Sequence, residues 1–354
     1  DSRSKKSSSS TSKAKSSATS TAKASSSSSG RAAIATLATT PYYGAIVVDE
    51  ATGKVLFEDN ADRQCYPASV VKLMDLLIIL EKIEQGSLSL SNRVTVTREA
   101  SLTGGSQVYL REGEVFALDD LLFALMVKSA NDAAVALATH VAGSKEGFVQ
   151  LMNTRAAELG MASSKFSSVH GLPPDSGAAP DLTTARDMAT LSLALLKHKD
   201  TLRYTSTVVR RFGEGVRPVN TQIEMRNHNH LLGAFEGCDG LKTGWIRASG
   251  YSMAATARRN GRRIVAVVMG STTKDIRDAN AKQLLATAFL NLPPLPPVVT
   301  NAVPGPAGSN VGEEDEESEQ PSRHSVWFTV ILVILVLVVA SAAAYLLARR
   351  LRKV

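Results

Sequence analysis

Two cysteines, Cys65 and Cys238, are all the thiols in this chain of 354 residues. At most one disulfide can form, so the fold is not a cystine-stapled scaffold and needs an apolar core. The N-terminus lacks an apolar run: residues 1–30 are almost wholly Ser, Lys, Ala and Thr. Without such a run they are not a signal peptide and read as a disordered basic tail. The first residue is Asp1 rather than Met, and the expectation is that a signal sequence was removed ahead of it. No repeat recurs at a fixed period, which excludes solenoids and propellers. The centre of the chain also lacks a charge excess. The formal net charge is +7, but residues 1–40 carry +6, 292–325 carry −5 and 326–354 carry +4, leaving +2 for 41–291. The folded part has no phosphate-binding surplus, and no nucleic acid partner is expected.

What is present divides the chain into five segments: the basic tail 1–40, a folded domain 41–291, a linker 292–325, an apolar segment 326–348 and a basic end 349–354. The linker is rich in proline and acids and reads as extended and self-repelling. Val326 to Ala348 is a run of 23 uncharged residues followed by Arg349-Arg350-Leu351-Arg352-Lys353. That length suits a single membrane-spanning helix, and the basic cluster places the C-terminus in the cytoplasm. The expected location is therefore the cell membrane, with a C-terminal anchor and the folded domain outside the cytoplasm.

Within 41–291 the pattern predicts a hairpin from Gly44–Asp49 and Val55–Glu58. A helix headed by Ser69 follows and closes at Gly86. Val94–Val96 reads as a short strand. Helices are predicted over Leu118–Lys128, Ala133–Val141, Lys145–Leu159 and Thr183–Leu196. Strands return at Ser206–Phe212, Gln222–Met225, Gly250–Arg258 and Arg262–Gly270, the last two joined by Asn260-Gly261, a strong hairpin signal. Lys274–Leu290 reads as a closing helix. Strands at both ends and helices between imply a mixed α/β domain whose two ends share one sheet.

Three short motifs carry the chemistry. Ser69-Val70-Val71-Lys72 puts a hydroxyl and an amine on one face of a helix start. Serine becomes a nucleophile only when a base takes its proton, and a lysine can be that base if burial or a nearby cation lowers its pKa. Taken alone, this is as well read as a cap followed by a surface lysine. Ser129-Ala130-Asn131 and Lys242-Thr243-Gly244 are equally ordinary alone, as a cap and a strand-end turn. In this order, about 60 and 110 residues apart, the three form the set shared by β-lactamases and penicillin-binding proteins.

Residues 42–290 resemble the low-molecular-weight penicillin-binding proteins, the serine-type D-Ala-D-Ala carboxypeptidases of peptidase family S11. Beyond the three motifs, Ala51-Thr52-Gly53-Lys54, Gly105-Ser106, His170-Gly171-Leu172 and Thr184-Ala185-Arg186-Asp187 carry the likeness. The resemblance implies a β-lactamase/transpeptidase-like fold, an antiparallel five-stranded sheet flanked by helices with a helical insertion. It implies that Ser69 attacks the substrate carbonyl to form an acyl-enzyme, with Lys72 as base and Ser129 relaying the proton between Lys72 and Lys242. Asn131 would fix Lys72 and bind the peptide, and Lys242 and Thr243 would hold the terminal carboxylate. Gly244 would let its strand lie close to the substrate. The amides of Ser69 and Trp245 would form the oxyanion hole. The implied partners are a peptidoglycan stem peptide, β-lactam antibiotics as covalent inhibitors, and the membrane; no cofactor and no metal are expected.

This chain departs from that pattern at Val71, Asp75 and Cys238, and at Asn227-His228-Asn229, where many relatives have Asn-Arg-Asn. That departure puts an accessory contact to the carboxylate in question. The linker leaves no room for the second, β-rich domain of many relatives. A DD-endopeptidase would use the same residues. A class A β-lactamase would need a Glu-x-x-x-Asn base where this chain has Ser163-Ser164-Lys165-Phe166-Ser167-Ser168, so slow release of penicillin is expected. A non-catalytic wall-binding module would have lost motif residues, and none is lost. His228-x-His230 has no further ligand at metal spacing and reads as a loop pair. His170 reads as a structural loop residue, and Gly105-Ser106 as shaping a loop. Cys65 and Cys238 either pair or stand as two buried thiols, and the second is the expectation.

Overall fold

The computed structural model describes residues 42–174, 177 and 179–292. The expected tail, linker and membrane-spanning segment lie outside them, as does the basic C-terminal cluster. In chain order come β1 (Gly44–Asp49), β2 (Val55–Asp59), α1 (Lys72–Glu84), β3 (Arg93–Thr95), α2 (Arg98–Leu102), β4 (Val115–Ala117) and α3 (Leu118–Phe123). Then follow α4 (Asn131–Ala142), α5 (Lys145–Glu158), α6 (Ala185–Leu195), α7 (Thr201–Thr205), β5 (Val209–Phe212) and β6 (Ile223–Arg226). The chain closes with β7 (Cys238–Ile246), β8 (Gly250–Arg259), β9 (Arg262–Ser271) and α8 (Lys274–Asn291).

Five strands form one antiparallel sheet in the order β2-β1-β9-β8-β7. The two ends of the domain do share a sheet, because β1 pairs along its whole length with β9. Both strands are apolar on both faces, as a sheet covered on two sides requires. Ile46, Val48, Val265 and Val267 face a large core with α1, α4 and α6, while Ala45, Val47, Ala266 and Val268 face Leu284 and Leu285 of α8. Asn260 and Gly261 both take positive φ, 49° and 77°, which is the hairpin turn their sequence signals.

Helix α1 is the centre of the larger core. Every residue from Lys72 to Leu80 is buried, so the helix has no solvent face to read as a stripe. Four other helices start on a hydroxyl that accepts a backbone N–H, from Thr97, Ser144, Thr184 and Thr273. Ser69 does not do this. It sits inside a 3-10 turn, Ala68–Val71, that precedes α1 without a side-chain cap. Its hydroxyl is therefore free for other work.

Some expectations need correction. The helix expected over Leu118–Lys128 stops as α-helix at Phe123 and continues as one wide π turn, Ala124–Lys128, ending at Ser129 with φ 60°. The short elements α2, β4 and α7 were not foreseen, since three to five residues leave no periodicity to read. The strand expected from Ser206 begins at Val209, because α7 occupies the chain up to Thr205. Cys65 and Cys238 are both free thiols, the first buried and the second only partly so.

Candidate active site

The 3-10 turn that holds Ser69 packs directly against β7. A Cβ placed on Gly244 would stand 2.8 Å from the Pro67 carbonyl oxygen and 3.0 Å from the Ser69 amide nitrogen. Only a glycine allows that approach. The resemblance implies that Gly244 lies close to substrate; the structure places its close contact on the turn that carries Ser69. Gly171 makes a second tight contact from the opposite side, over the backbone of Ala68. The Ser69 turn is thus clamped between β7 and the loop that follows Ser168.

Lys72 follows at the first residue of α1, fully buried. Its Nζ donates to Ser69 Oγ at 3.0 Å, to Asn131 Oδ1 at 2.7 Å and to the His170 carbonyl oxygen at 2.9 Å. Two of those acceptors are carbonyl oxygens and can only accept, while the third is a hydroxyl that can also donate. When Lys72 loses one proton, its lone pair is thus left facing Ser69. Burial pushes the Lys72 ammonium down to about 7, against the opposing pull of Asp75, Asp181 and Asp132. The group can therefore accept a proton near neutral pH, which is what general-base work requires.

Asn131 is held on every side. Its amide N–H donates to the Ser106 carbonyl at 2.7 Å, and its Nδ2 donates to the Gly104 carbonyl at 2.8 Å. Ser106 Oγ in turn donates to the Lys128 carbonyl at 2.7 Å, so Gly105-Ser106 shapes this loop as expected. His170 contributes through its backbone oxygen. Asp181 fixes the loop before it by accepting from the Ser167 and Ser168 amides at 2.6 and 2.9 Å. No sequence signal marks a carbonyl as functional, so this ligand of Lys72 was missed in that role.

The other wall is built from β7 and α8. Lys242 is buried, and its Nζ donates to the Thr243 carbonyl at 2.8 Å. Burial, then the cations of Lys72 and Arg277, hold its pKa well below the ordinary lysine value. Ser129 is buried with φ 60°, and its Oγ has no partner among the described residues. The relay expected of Ser129 has its hydroxyl in the cleft, bonded to neither lysine. Trp245 is 54% exposed and lies against its cross-strand partner Tyr251, ring centres 5.7 Å apart.

These groups meet around one open cleft of about 720 Å³, lined by Ser69, Ser129, Asn131, Thr243, Gly244 and Trp245 among others. Arg277, on the first turns of α8, also lines it and was missed. It carries no motif, and no sequence signal set it apart on a helix read only as closing the domain. His228 lines the cleft too, and burial pushes its imidazole down to about 4, so it is neutral at pH 7. His230 pairs with Asp278 at 3.0 Å rather than with a metal set, and no cluster of metal-ligating side chains occurs among the described residues. Among the described residues, no Asp or Glu lines the cleft.

Comparison with known proteins follows the same residues. The family model described as D-alanyl-D-alanine carboxypeptidase matches residues 32–273. The chain is similar to D-alanyl-D-alanine carboxypeptidase DacF of Bacillus subtilis, 33% identical over 245 residues, 69% of this chain and 61% of that protein. It is similar to DacC of Escherichia coli, 34% identical over 264 residues, 73% of this chain and 63% of that protein. It thus spans about three fifths of the length of these relatives. Its fold matches the crystal structure of penicillin-binding protein D2 from Listeria monocytogenes in the ampicillin-bound form, with TM-score 0.62 and 30% identity over 70% of this chain and 97% of that one.

Proposed function

This chain belongs to the D-alanyl-D-alanine carboxypeptidase family, peptidase family S11, and on that premise we propose that it removes the terminal D-Ala from peptidoglycan stem pentapeptides. The observation that carries the reading is the Lys72 amine, 3.0 Å from Ser69 Oγ and basic near neutral pH. Ser69 Oγ attacks the carbonyl carbon of the penultimate D-Ala as its proton passes to Lys72. The amides of Ser69 and Trp245 stabilise the oxyanion. The C–N bond then breaks, and the leaving D-Ala amine takes the proton by way of Ser129. Water hydrolyses the ester on Ser69 and restores the enzyme. Lys242, Thr243 and Arg277 hold the terminal carboxylate, which the buried cations favour strongly.

A β-lactam would acylate the same serine, in keeping with the ampicillin-bound relative. With no carboxylate on the cleft wall among the described residues to activate water, the penicilloyl ester would turn over slowly. The apolar run 326–348 would anchor the chain in the cell membrane, with the catalytic domain on the wall side.

The test is mass spectrometry of the purified chain after brief exposure to penicillin, together with D-Ala release from a pentapeptide stem. The expected result is a long-lived adduct on Ser69 and release of one D-Ala. Cleavage of dimeric muropeptides to monomers, without D-Ala release from the pentapeptide, would replace this reading with an endopeptidase. Absence of both adduct and release would remove the catalytic reading altogether.

A further inference from the structure

The catalytic cleft holds more positive charge than one terminal carboxylate needs. Arg247, Lys274 and Arg277 line it, and among the described residues no acid does. Arg277 is buried, is fixed by Asp278, and lies near enough to Lys242 to depress that lysine. These two inner cations answer the terminal carboxylate. Arg247 and Lys274 stand apart from them: both are exposed, and among the described residues neither meets an acid or donates a side-chain hydrogen bond. Several arginines elsewhere in the fold are paired with acids. Arg186 is held by Glu58 and Asp62, Arg203 by Asp119, Arg210 by Asp120 and Arg217 by Glu114. Lys274 also stands in the first turn of α8, where the helix dipole disfavours a cation. The positive mouth is local, since residues 41–291 together carry only +2.

We infer that Arg247 and Lys274 form a second anion subsite at the mouth of the cleft, taking a carboxylate of the stem peptide other than the terminal one. The inference rests on the proposed D-Ala-D-Ala activity and narrows its substrate class. Stems whose internal carboxylates are free are preferred over stems in which they are carboxamides. The preference resides in binding, because these side chains are remote in role from the Ser69–Lys72 pair. It weakens with salt, because the cations are exposed.

The test uses the full chain and two synthetic stems ending in D-Ala-D-Ala, one with its internal carboxylates free and one with them amidated. At low salt the free-acid stem is expected to show a KM lower by roughly five- to tenfold, the scale of two exposed charge contacts. The gap should shrink in concentrated salt and close to within about twofold in the double variant Arg247→Gln, Lys274→Gln. Equal KM values in the unsubstituted protein, or a gap that survives in the double variant, would overturn the subsite. If neither stem releases D-Ala and penicillin leaves no adduct on Ser69, the underlying activity fails instead.

Discussion

The two walls of the cleft are finished to different degrees. On the α1 side, each donor of Lys72 has an acceptor, and the asparagine that receives one of them is itself bonded through both ends of its amide. On the β7 and α8 side, Lys242 reaches only its neighbour's carbonyl, and Arg247 and Lys274 stand open. The difference separates two tasks. A reacting pair works best when its geometry is set before substrate arrives. A recognition surface must keep donors unspent, because bonds already made inside the protein give no affinity for a ligand.

The largest effect should come from breaking the finished wall. Lys72→Ala removes the base and leaves Ser69 unactivated, so penicillin acylation and D-Ala release should both fall by about 10³-fold or more. In the unsubstituted protein, acylation should decline as pH drops below about 7, because burial sets Lys72 there and its protonated form cannot accept the Ser69 proton. A rate that stays level down to pH 5 would place the base elsewhere. Stopped-flow acylation with a chromogenic β-lactam measures both.

The unfinished wall should fail differently. Lys242→Gln keeps the bond partners of Lys72 and removes a cation meant for the substrate. The expected loss in kcat/KM is about 10²-fold for a stem ending in a free carboxylate, the scale of a charge-assisted bond in a buried site. An analogue ending in a carboxamide should lose several times less. Equal losses on both substrates would mean that Lys242 serves the chemistry rather than recognition, and the contrast between the walls would collapse.

The same contrast marks what the sequence made legible. Ser69, Lys72, Asn131 and Lys242 stand in short motifs, because each must keep a fixed offset from its neighbours on one helix or strand. The sheet could be read from Gly44–Asp49 and Arg262–Gly270, where burial on both faces makes the strands continuously apolar. The His170 carbonyl could not be found, since a backbone oxygen leaves no mark in composition. Arg277 was hidden because the lysine whose charge it feels, Lys242 on β7, stands 35 residues earlier in the chain. The αL geometry of Ser129 follows from a π turn that tertiary packing, rather than helix propensity, imposes.

Where the two walls touch, at Gly244 and the Ser69 turn, a single methyl group should sharpen the boundary. Gly244→Ala places its Cβ against the Pro67 carbonyl and the Ser69 amide, so the turn that carries Ser69 must give. Both walls persist but lose their alignment. A loss of about tenfold in kcat is expected, with a smaller change in KM, since the displaced group is the oxyanion donor rather than a carboxylate ligand. A KM effect larger than the kcat effect would show that the strand, and not the turn, had given way.

The smallest expected effect tests the one defect of the finished wall. Asp75 lies one turn beyond Lys72 on α1, buried, and both its carboxylate oxygens lack a partner among the described residues. Lys72 has no donor left for it. Burial therefore holds the Asp75 carboxyl well above the usual carboxylate range, against the pull of the Lys72 cation. A raised folded-state pKa stabilises the protein fully only below the unfolded value, about 4, and that contribution is lost as pH climbs toward the folded value. At pH 8 the unfolded chain ionises this carboxyl fully, and the folded chain ionises it less readily. Asp75→Asn removes that penalty. It should raise Tm at pH 8 by about 2–4 °C, equivalent to roughly 1 kcal/mol, and by less at pH 4, where Asp75 is neutral in the folded chain. The asparagine's own unpartnered amide costs the same at both pH values, so the difference between them isolates the ionisation. Calorimetry that shows an equal shift at both, or a larger one at pH 4, would mean that Asp75 is ionised in the folded protein and that Lys72 is held as its counter-ion.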